Sequence, residues 1–199
     1  MRKLHLHIDR ILQGEFKPNA LNLMLLFQVN CPGCFSYALP LFNKLYDQNQ
    51  GKLGFLALST AFEDFDLNTE QSTELLIKEG KMVGETKRAL LQQGHSVLPY
   101  QLDFPIGVDT KAKNEQLSGL IEDICFSNPN FSIWSEYDQK LMRERVSDYL
   151  GQQEQISLTF TANQFRGTPT IVLFNKEYDL LDSWFGHTPI EEIEKALMK

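Results

Sequence analysis

Leu23-Met24-Leu25-Leu26-Phe27-Gln28-Val29-Asn30-Cys31-Pro32-Gly33-Cys34 is the stretch on which the fold is read. Its first five residues are a continuous apolar run, the pattern of a strand covered on both faces of a sheet. A Cys-x-x-Cys follows three residues later. Beyond it Phe35, Ala38, Leu39, Phe42 and Leu45 recur at helical spacing, so residues 35–46 read as a helix with one buried face. Pro32 suits the first helical turn, where a backbone N–H has no partner to lose. A cysteine at that junction faces the helix N-terminus, whose free N–H groups and positive dipole end stabilise a thiolate. Cys31 is therefore the candidate nucleophile, and Cys34, one turn inside, the candidate resolving thiol. The same spacing also serves half of a zinc site or an inert structural pair. Against zinc, the chain has no second C-x-x-C and no H-x₃-H pair.

Outward from this stretch, residues 53–58 read as a second apolar strand. Strand, helix, strand at this spacing is the parallel pair with a crossover helix. Upstream, Leu4, Leu6 and Ile8 alternate with His5 and His7, the pattern of a half-buried strand over residues 4–8. Residues 14–22 read as a polar loop. Downstream come an acidic, aromatic loop at 62–66, helices at 69–79 and 83–93, and a short strand in 104–109. Leu117, Leu120, Ile121 and Ile124 place a helix in 113–125, and Leu141, Val146, Tyr149 and Leu150 place another in 136–150. These two are read as an insertion. Residues 170–174 and 180–185 form an antiparallel pair around a turn at 175–177, and residues 189–198 a closing helix. Alternating strands and helices specify an α/β sandwich.

The chain has 199 residues and 3 cysteines, with a formal net charge of −7. That length fits one domain over 1–199, with the helical insertion at about 111–161. The acidic balance argues against nucleic acid as the main partner and against docking on an anionic membrane. No stretch approaches the ~20 apolar residues of a membrane span. The low, odd cysteine count does not describe a disulfide-stapled secreted domain. The N-terminus lacks the apolar core of a signal peptide, which makes the cytoplasm the expected compartment.

Residues 27–34, the turn Gly167-Thr168-Pro169-Thr170, the ending Phe185-Gly186-His187 and the segment 104–109 together resemble the thioredoxin superfamily, in particular its TlpA-like/redoxin branch. The resemblance covers nearly the whole chain outside the insertion. It implies a thioredoxin-like three-layer α/β sandwich, with the insertion before the cis-proline strand. It implies a thiol-disulfide oxidoreductase that needs no cofactor or metal and exchanges with protein or small-molecule thiols and disulfides. Pro169 is then the cis-proline facing the disulfide, and the Thr168 backbone pairs with an extended substrate beside Cys31. Phe27, Pro32, Gly33 and the Thr168–Pro169 edge make the apolar groove, which Gly186 and His187 border. Four positions depart from the pattern. The buried acid of thioredoxin is Leu25 here, the tryptophan before the first cysteine is Asn30, the acid of many TlpA-like proteins is Tyr37, and the helix proline falls one place late, at Pro40. The usual proton-handling group is thus missing. His187 is the best-placed replacement, ahead of Glu63, Asp64 and Asp66.

Three other functions compete. A peroxide-reducing redoxin is one, although Val29 and Asn30 stand where peroxiredoxins carry a threonine and a proline. A thioredoxin-like binding module with vestigial cysteines is another. The third is a metal chaperone using Cys31, Cys34 and His187. His5 and His7 on one strand are weak evidence of a metal site without further ligands. Cys125, on the apolar stripe of an insertion helix, reads as a buried free thiol. His95 reads as surface, and Trp134 and Trp184 as core or partial-core aromatics.

Overall fold

The computed structural model describes residues 2–198. Six strands form one sheet: β1 (Ile8–Gln13), β2 (Leu21–Phe27), β3 (Gly54–Ser59), β4 (Ile106–Asp109), β5 (Thr170–Asn175) and β6 (Leu180–Phe185), in the order β1-β4-β3-β2-β5-β6. β2, β3 and β4 run parallel, and β1, β5 and β6 pair antiparallel at the two sides.

β2 lies near the middle because it has no polar face. Leu23, Leu25 and Phe27 enter the core below the helix that follows, while Met24 and Leu26 enter a second core on the opposite face. Each such side chain contributes about 1.5–3 kcal/mol when fully buried. β5 is built the same way, with Ile171 and Leu173 on the first face and Val172 and Phe174 on the second. These alternations fix the register, since a one-residue slip would exchange the two cores.

The helices are α1 (Leu39–Asn49), α2 (Glu70–Glu79), α3 (Gly84–Gln92), α4 (Leu117–Phe126), α5 (Glu136–Gly151), α6 (Leu158–Ala162) and α7 (Ile190–Leu197). A π-helical turn, Cys34–Ala38, precedes α1. The insertion lies between β4 and β5 and has its own core of Leu120, Ile124, Cys125, Phe131, Val146 and Leu150, among others. Cys125 is fully buried there. Trp134 is a correction: it is exposed and outside this core, its ring edge-on to Phe131 at 5.8 Å.

One expectation shifts in place and one helix is new. The first strand runs over Ile8–Gln13 and overlaps the expected 4–8 only at Ile8. Residues before it are held from two directions: Leu4 N–H donates to the Tyr178 carbonyl and Leu180 N–H to the Arg2 carbonyl beside β6, while His5 N–H donates to Asn163 Oδ1 and His7 N–H to Thr159 Oγ1. His5 and His7 therefore precede the strand, and the two stay close to each other and to Asp123. His5 Nδ1 approaches Asp123 Oδ2 at 3.4 Å. The new helix is α6, which periodicity did not reveal. It is five residues long, and Asp109 at the end of β4 caps it, accepting from the N–H groups of Thr159 and Phe160.

Candidate active site

Cys31 leaves the end of β2, and Cys34 begins the π turn. Their sulfurs lie 2.8 Å apart and both are free thiols. Cys31 is half-buried, whereas Cys34 is wholly buried. The Cys34 backbone N–H donates to Cys31 Sγ at 3.3 Å, so the helix start presents a donor to this sulfur.

The two thiols are driven apart in acidity. The Cys34 thiol, donating to Cys31, draws the Cys31 pKa down to about 7. Burial opposes this, and the Thr168 side chain and the backbone N–H groups of Cys34 and Gly33 assist it. Burial foremost, and then the neighbouring Cys31, push Cys34 well above its ordinary value. Cys31 can therefore be a thiolate near neutrality while Cys34 stays protonated beneath it.

Across the site, the Thr168–Pro169 peptide is cis. The Thr168 carbonyl lies 3.6 Å from Cys31 Sγ. Pro169 is buried against Gly33, and Thr168 is half-buried beside it. Gly186, at φ +82°, donates its N–H to the Pro169 carbonyl at 2.9 Å. That bond brings the exposed His187 beside the turn, where its ring packs on Tyr37 with centroids 4.6 Å apart. Pro32 and Gly33 are half-buried. Phe27 is a correction: with 0% exposure, it supports the site from the core and does not line a groove.

Three polar residues hold this arrangement, and their roles were not read from the sequence. Gln28, buried, accepts from the Thr168 hydroxyl at 3.0 Å and donates to the Glu63 carbonyl at 3.3 Å. Asn30, where a tryptophan was expected, donates to Asp64 Oδ2 at 2.8 Å and accepts from the Glu85 N–H at 2.7 Å. Its own N–H donates to Asn68 Oδ1. The acidic loop is thus clamped to the segment before Cys31, with Glu63, Asp64 and Asp66 exposed. Tyr100 is the third residue. Pro40 has no N–H to give, so the turn leaves a carbonyl of its first residues open, and the Tyr100 hydroxyl donates to Phe35 O at 2.6 Å.

Among the described residues, no group of three or more His, Cys, Asp and Glu side chains is placed to hold a metal ion. Nor is any helix among them long and apolar enough to cross a membrane.

No protein-family model matches the chain, and no curated protein matches it. Solved structures do. A thiol-disulfide isomerase from Corynebacterium glutamicum is 17% identical with a TM-score of 0.61, over 98% of this chain and 93% of that one. A thioredoxin-like superfamily protein is 19% identical with a TM-score of 0.58, over 100% of this chain and 95% of the other. With the sheet order, the cysteine pair at the end of β2 and the proline turn opposite it, these likenesses establish that the chain has a thioredoxin-like fold.

Proposed function

We propose that the protein is a thiol-disulfide oxidoreductase, with Cys31 as nucleophile and Cys34 as resolving thiol. The observation that carries this reading is the split between the two sulfurs: an accessible thiol drawn to about 7 lies 2.8 Å from a buried one pushed upward. An inert structural pair has no need of such a difference. The similarity to a thiol-disulfide isomerase agrees with it.

The reduced protein attacks a substrate disulfide through the Cys31 thiolate. One substrate sulfur leaves and a mixed disulfide remains. Cys34 then loses its proton to solvent and attacks Cys31 Sγ. The Cys31–substrate bond breaks, its electron pair departs on the substrate sulfur, and that thiolate regains a proton from solvent. The partner is a protein or small-molecule thiol or disulfide. Thr168 offers backbone to an extended segment, and Pro32, Gly33, Pro169 and His187 form the surface around the sulfur.

Incubation in graded glutathione buffers, alkylation of free thiols and counting of labels by mass tests the reading. The expected result is a reversible two-thiol transition that Cys34→Ser abolishes. A midpoint near about −270 mV marks a reductant, as suits the cytoplasm, and one near about −120 mV an oxidant. Cysteines that never pair at any poise refute the function.

A further inference from the structure

Tyr37 occupies a particular place relative to the cysteines. It lies on the π turn between Cys34 and Ala38, so its side chain folds back over the first turn. A Cβ placed on Gly33 would lie 3.5 Å from Tyr37 Cε1, 3.6 Å from its hydroxyl and 3.9 Å from Pro169 Cδ. The phenol and the cis-proline therefore converge on one point of the Cys31-Pro32-Gly33-Cys34 turn. The Tyr37 ring also packs on His187, which follows the Gly186 tied by its N–H to the Pro169 carbonyl. Tyr37 is half-buried, and no hydrogen bond of its hydroxyl is found among the described residues.

This is an O–H donor beside Gly33, packed against His187 and near enough to both sulfurs for their charges to act on it. Burial first, and the charge of either sulfur second, hold the phenol above its ordinary value. It stays protonated at neutral pH and adds no negative charge to repel a thiolate.

We propose that Tyr37 donates a hydrogen bond to the substrate sulfur that departs when Cys34 resolves the mixed disulfide, with His187 holding the ring in place. This rests on the exchange function proposed above and assigns the residue that assists its second half. The bonds made and broken are those of the exchange itself: Cys34–Cys31 forms, Cys31–substrate breaks, and the electron pair leaves on the substrate sulfur. The phenol keeps its proton and stabilises the developing charge, as a fixed donor does for an oxyanion. The sulfur displaced in the first half-reaction is one bond farther from Cys31 and gains less.

Single-turnover reaction of the reduced protein with a peptide disulfide whose halves carry different fluorophores tests this. Release of the first half reports attack by Cys31, and release of the second reports resolution by Cys34. Tyr37→Phe keeps the ring against Gly33 and His187 and removes only the hydroxyl. The expected result is first release within about twofold of the parent and second release slowed about tenfold, in the range of a lost donor to a charged group. His187→Ala is expected to slow the second release by a smaller factor. An unchanged second release overturns the proposal, and so does an equal slowing of both, which would place the effect on the nucleophile. A parent protein that releases neither half refutes the exchange function itself.

Discussion

The hydroxyl of Tyr100 reaches across from the segment before β4 and donates to the carbonyl of Phe35, 2.6 Å away. The two residues are 65 apart in sequence, and the bond falls where the helix after Cys34 is least regular. In the π turn, Leu39 N–H returns to Cys34 O, and the next residue, Pro40, has no N–H. Tyr100→Phe removes the substitute donor from a half-buried carbonyl. The expected loss is about 1–2 kcal/mol in urea unfolding of the reduced protein. An unchanged midpoint would mean that water serves Phe35 equally well.

Asn30 joins three segments, and Gly84 makes room for it. A Cβ on Gly84 would lie 2.2 Å from Asn30 Oδ1, and Gly84 sits at φ +47°. Asn30→Ala therefore frees both the 62–68 loop and the first turn of α3. The expected outcome is faster amide hydrogen exchange at Asn68 and Glu85 and a stability loss of about 1–2 kcal/mol. Gly84→Ala is expected to release the same amides, because the new methyl group displaces the Asn30 side chain. If only one of the two variants loosens the loop, the clamp is not a single unit.

How much of this was legible follows from which interactions are local. β2 was legible because an unbroken apolar run has no other economical home, and the Cys31–Cys34 pair because strand, cysteines and helix are contiguous. The placement of Asn30, Gln28 and Tyr100 was not. Each is satisfied by a partner at least 34 positions away, and no spacing pattern announces it. Phe27 was misread for a related reason. Next to a reactive site, an aromatic residue looks like groove lining, but strand alternation puts it on the same face as Leu23 and Leu25, in the core. Residues 4–8 alternate as a strand does, yet the N–H groups of His5 and His7 are taken by the side chains of Asn163 and Thr159, and that of Leu4 goes to backbone, at Tyr178.

Asp109 gives the fold a pH dependence of its own. Burial, only partly offset by the N–H groups of Thr159 and Phe160 and the hydroxyl of Thr60, raises its carboxyl to about 6. In the unfolded chain the same group titrates near ~3.9. A raised folded value means that its contribution is fully present below about 4 and is lost as pH rises through about 6. The group then favours the fold at pH 4 over pH 7 by about 2–3 kcal/mol, an order-of-magnitude figure. Asp109→Asn removes that titration while keeping one acceptor for α6. Stability of the parent relative to this variant should fall between pH 4 and 7, and a constant difference would show that the carboxylate is solvated in the fold.

With its thiol drawn to about 7, Cys31 should be alkylated by iodoacetamide along a curve that rises through pH 7 and levels off by about pH 8.5, while Cys34 stays unlabelled. The dominant cause of the lowering is the Cys34 thiol, so Cys34→Ala should move that curve to higher pH, toward the ~8.5 of an unperturbed thiol. The Thr168 side chain is a lesser contributor, and Thr168→Val should move it in the same direction by less. The sign also extends to stability. A thiol lowered on folding favours the reduced fold above its unfolded value, and that contribution is lost as pH falls through about 7. Cys34→Ala should flatten the stability profile of the reduced protein in the same window. If alkylation of Cys31 still rises through pH 7 in Cys34→Ala, the helix N-terminus alone, and not the second sulfur, activates the first.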